Sequence, residues 1–224
     1  MTKLDQFESV FKSADKAVYT YDRPTFGRVL LITDLNEADA ADIASRVRPF
    51  LTVIDDVGTR WDTLSGDAFG SVQALLESIE KCKPDLIVTY RHLHSEAWQW
   101  PYSLGEYLDV MTQATNVPVL VLPHPDADRA LPHSIKDTNR VMAITNHLTG
   151  DNRLVNMAMR FTKPGGTCWL THVESQPVFE CYMDAVSKIP AIDTDVAREA
   201  LGEQLLKDPR DFIAACRAGI DAQG

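Results

Sequence analysis

A seven-residue strand opening occurs twice in this chain, as Arg28-Val-Leu-Leu-Ile-Thr-Asp34 and as Arg140-Val-Met-Ala-Ile-Thr-Asn146, and each copy runs on into an amphipathic stretch. The copies begin roughly 110 residues apart, which is too far for a solenoid repeat and close to the length of one small α/β domain. The simplest reading is two fused copies of one fold. The copies differ, and those differences carry most of what the sequence says about function.

Strands and helices alternate along the first copy. Val29 to Thr33 is a continuous apolar run of the kind buried on both faces of a parallel sheet, and Asp39 to Arg48 follows as a short helix. Leu51 to Val57 reads as the second strand, and the segment with Trp61 and Gly66 as a polar loop. Phe69 to Cys82, with Val72, Leu75, Leu76 and Ile79 on one face, reads as a helix ending before Pro84. Asp85 to Thr89 is the third strand, Tyr102 to Ala114 a helix, and Val117 to Leu122 the closing strand. Such alternation implies right-handed crossovers and a doubly wound parallel sheet with helices on both faces, a Rossmann-like α/β fold.

Ahead of this unit, Leu4, Phe7, Val10, Phe11, Ala14 and Val18 recur at helical spacing. Residues 1–27 are therefore expected to supply an N-terminal amphipathic helix that packs on the body of the protein. Residues 28–125 form the complete unit, 126–137 a linker rich in turn-formers, and 138–224 an incomplete second unit. That second unit has a strand at Val141 to Thr145, a helix from about Asp151 to Phe161, and a strand from Cys168 to Val173. Beyond residue 175 it is mostly helical, with Asp193 or Thr194 capping one helix and Asp208-Pro209 opening another. Two strands alone do not make an independent doubly wound sheet. Either the chain is a fragment of a longer protein, or the short half completes itself on the first half or on another molecule. The fragment is the expectation, because the chain stops where the first copy goes on to build a strand.

The net charge is −10 over 224 residues, with no cluster of Lys and Arg, so a nucleic-acid surface would work against the protein's own field. No apolar run approaches the ~20 residues that cross a bilayer, and the segment Met1-Thr-Lys-Leu-Asp-Gln-Phe-Glu lacks the layout of a signal peptide. A cytoplasmic protein without nucleic-acid or membrane partners is expected. Its four cysteines, with no C-x-x-C pair, are expected to be reduced thiols, Cys168 and Cys216 as buried small hydrophobes.

The residues of the first unit resemble a universal stress protein domain of the UspA type. The likeness is carried by a strand ending in Asp34, a strand ending in Val57, Pro84-Asp-Leu-Ile-Val88, the Leu104-Gly105 helix start, and Asn116-Val-Pro-Val-Leu-Val-Leu-Pro123. Residues 138–175, with Arg140 to Asn146 and Gly166-Thr-Cys-Trp-Leu-Thr-His172-Val173, resemble the first half of another such domain. The resemblance implies the adenine nucleotide alpha hydrolase-like fold, an adenine nucleotide such as ATP as the family ligand, a small-molecule site at the carboxyl edge of the sheet, and a homodimer paired through Val117 to Leu122.

In nucleotide-binding members of that family a loop written G-x-x-G-x9-G-[S/T] holds the phosphates, because glycines let backbone amides approach and a helix start favours an anion. The corresponding stretch here runs from Tyr90 to Glu106 and keeps Gly105 alone, with Glu106 where the family places Ser or Thr. A carboxylate beside a triphosphate costs on the order of 1 kcal/mol or more per close contact. The resemblance thus implies Thr33, Asp34, Val57, Arg91, Gly105 and Glu106 as the nucleotide-side positions, with Thr145, Asn146, His172 and Val173 as their second-unit equivalents. It also implies a degenerate site: no cofactor is expected, and the protein reads as a non-enzymatic stress-response or regulatory binding protein. The alternative is an ATP-binding, slowly hydrolysing member that uses Asp34, Arg91 and the Gly105 helix start.

Other chemistry-bearing residues have plainer readings. Arg91, His92 and His94 follow the third strand, where open α/β sheets bind ligands; they suit a small anion or a metal, or form a polar loop, and H-x-H without a nearby third ligand does not make a metal set. Trp98, Trp100 and Tyr102 can stack on an adenine, cover a helix end or form an interdomain contact. His147 and His172 at strand ends are acid-base candidates, but no nucleophile elbow accompanies them. Asp55 and Asp56, adjacent on the expected strand, would point to opposite faces. No catalytic residue is assigned.

Overall fold

Val29 to Ile32 and Leu86 to Tyr90 are apolar runs buried along their length, which only a strand covered on both faces tolerates. In the computed structural model, which describes residues 19–100, 102–125 and 135–222, they lie side by side at the centre of a four-stranded sheet. The first unit runs β1 (Arg28–Ile32), α1 (Glu37–Phe50), β2 (Arg60–Leu64), α2 (Val72–Cys82), β3 (Leu86–Tyr90), α3 (Glu106–Ala114) and β4 (Val119–Leu122). The sheet order is β2-β1-β3-β4 and every pair is parallel. Asn36 and Ser71 cap α1 and α2, each accepting a backbone N–H from its first turn. At the amino end, Asp85 accepts the backbone N–H groups of Gly27 and Arg28 at 2.9 Å each. The first residue of the Asp-Leu-Ile-Val run thereby ties the start of β3 to the start of β1.

The second strand differs from its expected place. Leu51 to Ile54 is not extended: it turns as a short 3-10 segment after α1, and Leu51 and Ile54 are buried. The strand forms later, at Arg60–Leu64, in the stretch expected to be a loop. An edge strand needs only partial burial and is blunted by charge, as Arg60 and Asp62 do here. The apolar run plugs the core instead. Val57 consequently sits fully exposed in the turn before β2, at the amino end of the sheet and away from its carboxyl edge. Asp55 and Asp56 leave the strand as well, and Asp55 accepts from the indole N–H of Trp61 at 2.9 Å.

The remaining residues are described separately as a second unit. It contains β5 (Arg140–Thr145), α4 (Asn152–Phe161), β6 (Thr167–His172), α5 (Gln176–Ser187) and α6 (Thr194–Asp221). β5 and β6 are parallel neighbours in a two-stranded sheet, with Arg140 opposite Thr167 and Thr145 opposite His172. α4 packs on both strands. Asp193 caps α6, accepting from the Asp195 and Val196 amides. Asp208-Pro209 does not open a separate helix; α6 continues through it, with Pro209 buried. A mid-helix proline forfeits one backbone bond, and packing of the ring offsets that loss.

Residues 19–24 belong to this second unit rather than to the first. Tyr19 is buried among Leu148, Val155 and Cys216, with Phe212 edge-on at 6.5 Å. Its hydroxyl donates to Asn156 Oδ1 at 2.7 Å, Arg160 Nε donates to the Pro24 carbonyl at 3.0 Å, and Gly219 lets α6 pass against the Tyr19 carbonyl, where a Cβ would come within 2.4 Å. Burial pushes the Cys216 thiol up to about 11, as expected for a thiol that acts as a core hydrophobe; Cys168 is half-buried. The expected helix over residues 3–19 lies, up to Val18, outside the described residues, as do residues 126–134 of the expected linker.

Tyr19→Phe should leave the buried Asn156 side-chain oxygen without its donor at a cost of about 1–3 kcal/mol. Amide hydrogen exchange should then show faster opening of α4 and α6 with β1 and β3 unchanged. Equal loss of protection in both sheets would contradict the assignment of residues 19–24 to the second unit.

Candidate functional site at the carboxyl edge of the central strands

The chain leaves β1 for β2 on one side and returns past β1 to reach β3 on the other. The connections therefore diverge between β1 and β3, and the crevice outside their carboxyl ends is where open parallel sheets hold ligands. Thr33 and Asp34 end β1, and Tyr90 to His92 end β3, so the pairing brings together residues more than fifty positions apart.

This crevice is filled by the protein itself. The Tyr90 hydroxyl donates to Asp34 Oδ1, and the Asp34 backbone N–H donates back to the Tyr90 oxygen at 3.2 Å. The other carboxylate oxygen, Oδ2, accepts the His94 backbone N–H at 2.8 Å. Both oxygens of Asp34 are thus engaged by the same domain. Gly66 closes the floor, because a Cβ there would lie 2.3 Å from the Asp34 carbonyl oxygen. Thr33 is fully buried and its amide donates to Leu64 O at 3.0 Å.

The loop from Arg91 to Gly105 folds back on this cluster. His92 and His94 both adopt positive φ, 65° and 53°, a conformation rare for residues with a Cβ. His92 is 1% exposed; its amide donates to Leu104 O at 3.0 Å, and neither ring nitrogen has a hydrogen-bond partner among the described residues. Gly105, at φ 86°, abuts it so closely that a Cβ would stand 2.9 Å from His92 Cα. Gly105 thus serves to let the chain pass His92. The His94 ring packs edge-on to Phe69 at 4.9 Å and against Tyr107 at 5.3 Å. Arg91 Nη1 reaches the Ser103 carbonyl at 3.5 Å.

Electrostatics favour the same closed state. Burial, and next the bond to Asp34, raise the Tyr90 phenol well above its ordinary range, so the neutral donor is the folded-state species. Glu106 is the exposed first residue of α3, and Asp109 joins it in the first turn. They complement the helix dipole that a phosphate would otherwise use. Trp100 and Tyr102 are exposed on the loop, and the Trp98 side chain lies outside what is described. A cleft of about 300 Å³ lies elsewhere, between α2 and α3, lined by Glu77, Glu80 and Thr115 among others.

In the second unit, Thr145 and His172 end neighbouring strands in register. The His172 ring is held by Glu174, Nε2 to Oε1 at 2.6 Å, and its Nδ1 is buried without a hydrogen-bond partner among the described residues. Asn146 and His147 are exposed, Val173 partly so. Among the described residues no group of three or more His, Cys, Asp or Glu could hold a metal ion. Tyr90, Gly66 and Glu174 are the site residues that sequence reasoning missed. Tyr90 carried a signal, being the strand-end residue beside the expected Asp34 once the parallel register is known.

No family model matches the chain, nor does any curated protein or solved structure.

Tyr90→Phe should release one oxygen of Asp34 and destabilise the first unit by about 1–3 kcal/mol. The linkage is signed: a phenol raised in the folded state contributes stability that is complete below its unfolded value of about 10 and is lost as pH rises beyond it. Alkaline unfolding of the parent should therefore be steeper with pH than that of Tyr90→Phe. Identical alkaline slopes would show that Tyr90 ionises freely in the native state.

Proposed function

We propose that this chain is a UspA-like universal stress protein with a degenerate nucleotide site, acting as a non-enzymatic stress-response or regulatory binding protein, with residues 138–224 as a partial second copy. The observation that carries the reading is the double engagement of Asp34, by the Tyr90 hydroxyl and the His94 amide. A ribose or adenine would have to displace both. Supporting it, Gly105 is committed to close packing on His92, and the start of α3 carries Glu106 and Asp109 in place of anion-binding hydroxyls. No resident cofactor is called for by this reading, and its ligand would be a small molecule or a protein rather than a nucleic acid or a membrane.

The four-stranded sheet has β4 at one edge, with Val121 exposed there and Val110 exposed on α3. An edge strand without a charged residue suits a homodimer paired through β4. A cytoplasmic site of action goes with the expected reduced thiols. The competing reading is an ATP-binding, slowly hydrolysing stress protein that uses Asp34, Arg91 and the Gly105 helix start after the loop reopens.

Calorimetric titration separates the two. ATP and AMP at millimolar concentration should give no binding heat, and sub-micromolar affinity for ATP would overturn the non-enzymatic reading. Sedimentation velocity should find a dimer that a charge at the edge, Val121→Glu, converts to monomer; a protein that stays monomeric at high concentration would remove the β4 pairing.

A further inference from the structure

Tyr90, whose hydroxyl closes Asp34, is also held by the chain's exit from the first unit. Tyr90 is 2% exposed, and its ring meets the His124 ring edge-on, centroids 5.0 Å apart and planes at 69°. β4 brings the two together: Leu122 pairs with Tyr90 in the parallel register, and His124 follows two residues later. An edge-to-face contact constrains the position and the tilt of a ring, and the tilt sets where the phenol oxygen points. Prolines stand on both sides of His124. Pro123 has a fixed φ, and Pro125 disfavours helical backbone at His124, so the exit acts on Tyr90 as a stiff arm.

The part that yields when Tyr90 shifts is the loop after β3. His92 and His94 hold left-handed backbone, φ 65° and 53°, which costs free energy in residues that carry a Cβ. The buried His92 ring adds two nitrogens without a hydrogen-bond partner among the described residues, a further cost. Opposing these costs, Asp34 accepts from the Tyr90 hydroxyl and from the His94 amide. A segment held against its local preferences by few contacts opens when one of them is lost. We propose that His124 is a positioning residue for this closure: through the Tyr90 ring it holds the hydroxyl on Asp34, and it thereby ties the loop at His94 to the segment by which the chain leaves the first unit. The coupling requires no nucleotide, so titration with ATP tests the proposed function separately.

Amide hydrogen exchange of the full chain without ligand reads the coupling, because the His94 N–H is itself the donor to Asp34 Oδ2. His124→Ala should speed exchange at His94 by about 2- to 10-fold, the equivalent of one edge-to-face contact. It should leave unchanged the Lys83 N–H, which donates to Ile79 O at the end of α2. His124→Phe, which restores a ring, should return His94 to the parent rate. In a Tyr90→Phe background, where no hydroxyl reaches Asp34, His124→Ala should add nothing. Pro125→Gly, which keeps the imidazole but loosens the arm, should speed exchange at His94 by less than His124→Ala does. Unchanged exchange at His94 in His124→Ala, or no rescue by His124→Phe, would overturn the positioning role. Equal effects of His124→Ala with and without the Tyr90 hydroxyl would overturn the route through Tyr90, as would an equal rise at Lys83, which would mean general loosening. An unmoved His94 in Pro125→Gly would sink the tie to the exit segment.

Discussion

The contact on which the first unit's chemistry turns is the closure of the Asp34 carboxylate. A half-buried carboxylate at the mouth of a parallel sheet must be solvated or hydrogen-bonded. Here the domain itself meets that need through Tyr90 and the His94 amide. The remaining features follow from it. For the His94 amide to reach Asp34, the loop after β3 must turn back sharply, which puts His92 and His94 at positive φ. With His92 folded inward, the residue before α3 must lack a side chain, and Gly105 is that residue. The crevice between the ends of β1 and β3 is organised by a tyrosine.

The two sheets meet the same burial requirement in different ways. In the first unit, β1 and β3 are shielded on both faces and flanked by β2 and β4, so these two central strands are written as near-continuous apolar runs. In the second, two strands have a helix on one face, and its core is completed by Tyr19 and the long α6. Few strands mean little intrinsic shielding, so remote parts of the chain must supply the cover. Residues 19–24 do so visibly, through Asn156 and the carbonyl of Pro24.

Elements whose burial is set by local pattern were legible in advance. The apolar runs at β1, β3, β4 and β5, the stripe of α2 and the Asp193 cap emerge at or near their expected positions. Where the reading failed, two signals competed. Leu51 to Ile54 is a short apolar stretch that reads as the start of a strand, yet it turns with Leu51 and Ile54 in the core, while Arg60–Leu64 pairs because an edge strand requires only hydrogen bonds on one side and tolerates charge. Pro209 looked like a helix start and is a buried mid-helix residue, since tertiary packing outweighs the lost backbone bond. Val57 left the candidate site for the same reason as the strand that was to carry it.

By itself the sequence determined the α/β character, the repeated strand opening and the absence of a glycine-rich phosphate loop, because each depends on residue type and short spacing. Only the tertiary structure decided that Asp34 is occupied, that Gly105 is a spacer for His92, and that residues 19–24 belong with a unit whose strands begin at Arg140. These are contacts between residues far apart in the chain, and they exist only once the parallel register of β1 and β3 and the gathering of Val155 and Cys216 around Tyr19 have brought their partners together.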